Sequence, residues 1–377
     1  MRLNNLKLKN FRNYETCELD FPGNKILLVG KNAQGKTNLL EAIYYLATLS
    51  SYRGGGDNEL IKWGAENCVI EADIYKHDTD IELQIIINPP KQKVLKVNGL
   101  KRTSFSSFLG NLIVVNFNVS DLLLLRGAPA DRRKWLDDAI SQVYPAYKDR
   151  LNKYSRIRTQ RNNLLKDFKN FPQEDFLSVL DEQLAVSGSN IIHLRQKYLR
   201  EIQQLACKKH KSIAIDKEDL KIVYVSTVTG EFDTVENSIQ KPEKILNFFN
   251  NALKERRAEE LARMQTVVGP HRDDTAFIIN GKNAVSFASQ GQQRTIILAL
   301  KLAEIDLTES IIGESPVLLL DDVLAELDNE RQSFLLQSIK ENTQTIITTT
   351  SLAAFSDEYL KDKKIYNVET GRVHEVN

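Results

Sequence analysis

The stretch KILLVGKNAQGKTNLLEAI, residues 25–43, passes from an apolar run through a glycine-bearing turn into a helical pattern. KILLVG predicts a buried strand and TNLLEAIYYLATLS a helix. Between them stands Gly30-Lys31-Asn32-Ala33-Gln34-Gly35-Lys36-Thr37, the spacing of a phosphate-binding P-loop in the strand-to-helix setting the motif requires. Glycines let backbone N–H groups converge on phosphate oxygens, and the helix N-terminus adds partial positive charge. Residues 30–37 are therefore expected to bind ATP. Lys36 would reach the β- and γ-phosphates, and the Thr37 hydroxyl would bind Mg²⁺.

Such a loop needs an acidic partner at the end of a neighbouring strand. VLLLDD, 317–322, supplies one: four apolar residues, then Asp321 and Asp322. Asp321 is expected to hold Mg²⁺ through water. Asp322 would face the γ-phosphate as the catalytic group that orients or deprotonates the attacking water. Fast ATPases of the ABC type usually carry Glu at this second position. The Asp carboxylate falls about 1.5 Å short of a Glu reach, and a misplacement near 1 Å costs on the order of 10²-fold in rate. Slow hydrolysis follows, with ATP serving as a switch.

A chain of 377 residues suits two domains, and 42% hydrophobic with 27% charged residues is a soluble balance. The net charge of +1 confines any nucleic-acid surface to a local patch. Cys17, Cys68 and Cys207 are scattered and odd in number, which excludes a disulfide framework and a zinc knuckle. The five histidines show no metal-ligand spacing. MRLNNLKLKNFRNY lacks the apolar core of a signal peptide. No apolar run reaches about 18 residues, so no membrane partner is expected and the compartment reads as cytoplasmic.

Short β-like runs (LNNLKLKNF, VIEADIY, IELQIIINP, VLKVNG, LIVVNF) alternate with the one helix up to residue 117. Helical spacing then takes over, with Tyr147, Leu151, Tyr154, Ile157 and Leu164 on one pattern, a second helix near 173–205 and a third over 242–264. LKIVYVSTV interrupts them as a strand candidate. From Val267 the β/α rhythm returns with TAFIINGK, SPVLLLDD, NERQSFLLQSIK and TIITTT. The expected organisation is an α/β head over 1–126 and 266–377, split by a mainly helical arm over 127–265.

SFASQGQQRT, 286–295, is a polar turn with one formal charge, placed directly before an apolar helix pattern. Taken in order, LKNFRNYE, RGAPADRRKWLDD (126–138), VGPHRDD (268–274), ASQGQQRTIILALKLAE (288–304) and LLLDDVLAELD (318–328) resemble the RecF family of SMC-like DNA-repair ATPases, from end to end of the chain. The resemblance implies an ABC-type P-loop ATPase head, a mixed β-sheet with flanking helices, carrying an inserted short helical arm. It implies weak ATPase activity and an ATP-driven homodimer in which Ser289, Gly291, Gln292 and Asp328 contact ATP held by the other subunit. It also implies a role at single-strand gaps, where the protein helps recombinase loading on double-stranded DNA and single-strand/double-strand junctions, with a RecR-type partner. The chain departs from the family at Asn118-Val119-Ser120-Asp121, where only the acidic end of the usual turn survives. The histidine of ABC transporters is replaced by Thr348, Thr349 and Thr350, a hydroxyl that could touch the γ-phosphate without acting as a cation. A stand-alone P-loop kinase is the alternative, but it leaves SQGQQR and Glu326-Leu327-Asp328 without a task. A structural SMC clamp would need a long heptad arm.

YKDRLNKYSRIRTQRNNLLK, 147–166, holds seven Lys or Arg against one acid. Its interleaved tyrosines and asparagines suit phosphate and sugar contacts. Arg150, Lys153, Arg156, Arg158 and Arg161 are the DNA-binding candidates, and a solvated helix face is the plain alternative. KKHK, 208–211, is a second basic run. Arg53, after the P-loop helix, is a candidate link between DNA and the ATP site. Arg12 is a candidate neighbour of the nucleotide. His271, Arg272 and Asp273 match the family without a physical role that the sequence reveals.

Overall fold

The apolar run before the glycine turn forms a central strand with neighbours on both edges. In the computed structural model, which describes residues 1–168, 172–214, 218–352, 355, 360 and 363–376, β3 (Lys25–Val29) lies between β14 (Thr345–Thr349) and β15 (Lys364–Glu369). The sheet continues through β13 (Val317–Asp321) to β8 (Val114–Asn118) on one side and ends at β16 (Arg372–Val376) on the other. Its pairings are parallel except for the β15–β16 hairpin. Parallel strands covered on both faces need continuous apolar runs, and β13 and β8 are buried at every position. Register sets Asp321 beside Thr348 and Asn118, and Val29 beside Thr349. The carboxyl ends of these strands therefore finish together at the turn after β3, where open parallel sheets hold ligands.

A second sheet is antiparallel, in the order β2-β1-β4-β5-β6-β7. Its strands are β1 (Arg2–Phe11), β2 (Tyr14–Asp20), β4 (Cys68–Lys76), β5 (Thr79–Ile87), β6 (Val94–Val97) and β7 (Leu100–Arg102). Asn98 and Gly99 both take positive φ, the conformation that makes Asn-Gly a tight hairpin turn. Helix α1 (Lys36–Thr48) packs on β5 of this sheet and on β8, β13 and β14 of the first. Covered from both sides, it buries ten of its 13 residues, including Glu41. A helix enclosed this way is apolar on most of its surface, and its N-terminus is held against the strand ends.

The chain divides into two compact units, residues 1–121 with 301–377, and residues 122–300. The first holds both sheets above, α1 and α10 (Asn329–Ser338). The second holds α2 (Leu123–Arg126), α3 (Pro129–Val143), α4 (Ala146–Asp167), α5 (Glu174–Ile213), α6 (Pro242–Glu255), α7 (Arg257–Arg263) and α8 (Ala284–Phe287). It also contains a sheet ordered β10-β9-β11-β12, from β9 (Leu220–Ser226), β10 (Gly230–Asp233), β11 (Asp274–Ile279) and β12 (Lys282–Asn283). Helix α9 (Gln290–Ile312) begins in the second unit and ends in the first. The insertion expected to close at 265 differs from this division, because β11 pairs along its length with β9 and so folds with the second unit. The helix pattern over 242–264 is two helices, broken at Arg256 (φ −93°, ψ 4°). No helix among the described residues is long and apolar enough to cross a membrane.

Candidate functional site

The turn after β3 admits glycine alone at two points. A Cβ on Gly30 would run into the Val368 carbonyl oxygen of β15. Gly35 takes φ +117°, and a Cβ there would fall 2.7 Å from both Asn13 Nδ2 and the Tyr14 hydroxyl. Tyr14 itself donates to Gly35 O at 3.1 Å, tying the loop to the second sheet. The Lys36 ammonium lies back across the loop, donating to Gly30 O at 2.7 Å and Lys31 O at 3.1 Å. A cavity of about 1120 Å³ opens in front, lined by Asn32 to Asn38 and by Arg12, Asn13, Arg53, Trp63 and Asp322.

Asp321, at the end of β13, accepts three hydroxyl hydrogen bonds. Thr37 Oγ1 and Thr348 Oγ1 donate to its Oδ1 at 3.0 and 2.9 Å, and the Tyr52 hydroxyl donates to its Oδ2 at 2.9 Å. The P-loop threonine and the first aspartate, 284 residues apart in sequence, thus meet directly. Thr348 also accepts from Asp322 N at 2.9 Å, so its hydroxyl is spent on the two aspartates rather than offered to a phosphate. Nothing in the sequence marks Tyr52 for this role. Burial and the Asp321 charge raise its pKa well above the ordinary tyrosine value, so it remains a donor. Asp322 takes a left-handed backbone (φ 52°), which Asp tolerates better than most residues, and its side chain lines the cavity. Burial raises its carboxyl pKa, Lys36 opposes the shift and Asp321 adds to it. A carboxylate so placed is the stronger base.

Glu41, buried within α1, organises both candidate arginines. It accepts Arg12 Nε and Nη2 at 2.9 and 2.6 Å and the Ser51 hydroxyl at 2.5 Å. Arg53 approaches it to 3.6 Å and donates to Asn38 Oδ1 at 2.7 Å. Arg12 and Arg53 are thereby fixed at the cavity rim, while the Arg53 side chain stays 47% exposed.

Ser289 and Gln292 bond reciprocally at the start of α9: Gln292 N donates to Ser289 Oγ at 3.2 Å, and Ser289 N to Gln292 Oε1 at 2.7 Å. This is a capping box, legible as Ser-x-x-Gln before an apolar run. Gly291 lies in the same first turn. Asp328 caps α10, accepting from Arg331 N at 2.9 Å and pairing with the Arg331 guanidinium. These bonds lower its pKa. Ser289, Gly291 and Gln292 belong to the second unit, and Asp328 to the first.

On α4, Arg150, Lys153 and Arg156 are exposed at intervals of three residues, a single stripe. Arg158 is half-buried on another face. Arg161 is a correction: it is fully buried, donating to Asp181 Oδ1 at 2.6 Å and Thr266 Oγ1 at 2.9 Å and pairing with buried Glu260, so it cannot reach DNA. The signal was present, since 161 follows Tyr147 and Tyr154 at seven-residue steps and both tyrosines are buried.

The VGPHRDD segment proves to be a fastening. Asp273 accepts from the Tyr224 hydroxyl at 2.6 Å and from Thr227 N and Oγ1 at 2.8 and 3.0 Å. Asp274 receives Arg132 at 2.7 and 2.8 Å. His271 Nε2 donates to Thr266 O at 3.2 Å, leaving Nδ1 to accept the Tyr154 hydroxyl at 2.7 Å. Among the described residues no group of three or more His, Cys, Asp or Glu could hold a metal ion.

The family model described as RecF/RecN/SMC N terminal domain matches residues 2–373. A relative from Thermosynechococcus vestitus (strain NIES-2133 / IAM M-273 / BP-1), named DNA replication and repair protein RecF, is 42% identical over 378 residues, covering 100% of this chain and 98% of its own. A solved structure described as the recombination mediator protein RecF-ATPrS in the RecFOR pathway is 34% identical with a TM-score of 0.89, covering 100% of this chain and 98% of that one. An SmcHead bound to the C-winged helix domain of ScpA, 16% identical with a TM-score of 0.56 over 100% of this chain and 97% of that one, is similar in fold.

Proposed function

The chain belongs to the RecF/RecN/SMC N-terminal domain family, and on that premise we propose that it is an ATP-dependent DNA-binding protein of DNA replication and recombinational repair, acting at single-strand gaps to help recombinase loading. The observation that carries this reading is the 3.0 Å contact between Thr37 and Asp321 beside the glycine turn, an arrangement suited to a cation next to bound phosphates. The two glycine positions that exclude a Cβ, and the Lys36 ammonium bonded only to neutral carbonyls, suit a triphosphate. Exchanging carbonyl acceptors for charged phosphate oxygens adds charge–charge attraction to bonds that the ammonium already assists. Gly30 to Thr37 would hold the phosphates, and Thr37 and Asp321 would hold Mg²⁺. When bound, Mg²⁺ supplies charge neutralisation at the β- and γ-phosphates. Asp322 would accept a proton from the attacking water. Its short side chain argues for slow turnover, with ATP acting as a switch.

Ser289 and Gln292 open α9 with a serine hydroxyl at a helix N-terminus, whose partial positive charge suits ATP carried by a second copy. Ser289, Gly291, Gln292 and Asp328 are assigned to that contact in a homodimer. The exposed stripe Arg150, Lys153 and Arg156, together with Arg53, is assigned to DNA, both double-stranded and at single-strand/double-strand junctions. A RecR-type protein is the expected partner. The test combines two measurements with a non-hydrolysable ATP analogue. Size-exclusion chromatography should show dimers that Lys36→Met or Ser289→Arg suppresses. Binding to gapped, duplex and single-stranded DNA should depend on the nucleotide. Equal binding in every condition, with no dimer, would overturn the proposal.

A further inference from the structure

Arg158 and Lys148 stand apart from the exposed stripe of α4, and they share one place. Positions 148, 151, 155 and 158 follow steps of three and four, so they lie on one face of the helix. That face borders a cavity of about 340 Å³ walled by Arg133 of α3, by Arg195 of α5 and by Pro270 and His271. Among the described residues one carboxylate lines it, Asp137, and this is already held by Arg195 at 2.9 and 3.0 Å and by the Tyr147 hydroxyl at 2.6 Å. Arg158 joins no hydrogen bond or ion pair among the described residues. Arg133 donates one bond, to Asp273 O at 2.8 Å, and the nearest carboxylate oxygen to Lys148 lies 3.9 Å away, on Asp138. Asn152 Nδ2, buried in the same wall, has no acceptor. His271 adds no charge of its own, because burial first, and then Arg158, Arg272 and Arg133, hold its pKa at about 3.

Under-neutralised cations around an orphaned amide donor make a site for an anion with several acceptor oxygens. Phosphate has that chemistry, and guanidinium groups match it in pairs. The volume lies at the small end of ligand pockets, enough for a phosphate with its sugar, which Leu151 and Pro270 could cover. We propose that the pocket formed by Arg133, Lys148, Asn152 and Arg158 is a second phosphate site, distinct from the P-loop, that takes the phosphate of a nucleotide, either free or within DNA. The exposed stripe of Arg150, Lys153 and Arg156 lies on a different face of α4. The site is independent of the ATP reading, and only its DNA source rests on the DNA-binding reading.

Calorimetry of the full chain with inorganic phosphate and with dAMP tests it, without an ATP analogue, which would itself compete for the pocket. Lys36→Met run alongside identifies any heat that belongs to the P-loop. One further site per chain is expected, weakened about tenfold or more by Arg158→Gln and by Lys148→Gln and unchanged by Arg150→Gln. Asn152→Leu, which removes an amide without a partner, should fold normally and also weaken the site. Duplex-DNA anisotropy separates the sources. If the pocket seats a DNA phosphate, Arg158→Gln weakens DNA binding and dAMP competes with DNA; if it takes free nucleotide, neither occurs while dAMP still binds. Absence of a second site for both probes, or equal affinity in wild type and all three pocket variants, would overturn the proposal. Loss of DNA binding in Arg150→Gln with this site intact would bear on the DNA stripe alone.

Discussion

Tyr52→Phe should separate metal-dependent from metal-independent nucleotide binding. The phenol packs edge-on against Tyr44, with ring centroids 5.2 Å apart, and phenylalanine preserves that packing. What disappears is the O–H that meets Asp321 Oδ2 at 2.9 Å, its nearer acceptor, and Thr37 O at 3.2 Å. A hydrogen bond to a charged group contributes about 1.5–3 kcal/mol, and removing an outer-sphere partner of a metal ligand costs about 10–100-fold in metal affinity. Thr37 and Thr348 still hold Oδ1, so the lower end applies: about tenfold. The assay is equilibrium ATP binding to wild type and variant, each in Mg²⁺ and in EDTA. Affinity in Mg²⁺ should fall about tenfold while affinity in EDTA stays unchanged. An unchanged ratio between the two conditions would refute the idea that Tyr52 orients Asp321 toward a cation.

Arg161→Gln should destabilise the protein by about 3–5 kcal/mol in urea unfolding, because it strands buried Glu260, without altering DNA affinity per folded molecule; a weakened affinity at full stability would restore Arg161 to the DNA surface. Replacing Arg150, Lys153 and Arg156 by Gln should leave stability unchanged and flatten the log–log salt dependence of DNA binding by about 0.9 for each phosphate that is no longer neutralised. His271 has a folded pKa near 3, below its ordinary 6.5, so the unfolded chain takes up the proton first. Its contribution is complete above pH 6.5 and falls by about 1.4 kcal/mol per pH unit below that; unfolding midpoints of wild type and His271→Asn that decline in parallel between pH 7 and 5 would refute this. ATP turnover should stay well below roughly 10 s⁻¹, a typical enzyme value, and Asp322→Asn should abolish it in a phosphate-release assay.

The sites that could be read from sequence are those whose chemistry is contiguous. Residues 30–37 carry their own glycines, lysine and threonine, and 317–322 carries both the apolar strand and its aspartates. Ser289 and Gln292 were legible for the same reason, although their local bond, a capping box, emerged only with the structure. Glu41, Tyr52 and Thr348 were not legible, since each acts on a residue brought near by packing, and an acid inside a helix pattern gives no sign of two arginines beside it. Strands β2 and β16, at sheet edges, and β15, next to one, are hard to read because polar and charged residues interrupt their short apolar patterns and resemble loop.

Sequence by itself determined the glycine turn after the apolar strand, the two aspartates at a second strand end and the family, because these depend on residue types at fixed short spacing along one strand-turn-helix or one strand end. Tertiary structure alone decided which charges are available. Arg150 and Arg161 stand in one basic run, and although seven-residue steps from Tyr147 and Tyr154 set Arg161 on their face, only packing supplies the Asp181 and Glu260 that neutralise it while Arg150 stays solvated. The fate of a guanidinium depends on which face of its helix meets the neighbouring elements, and that is settled only when α4, α5 and α7 pack together.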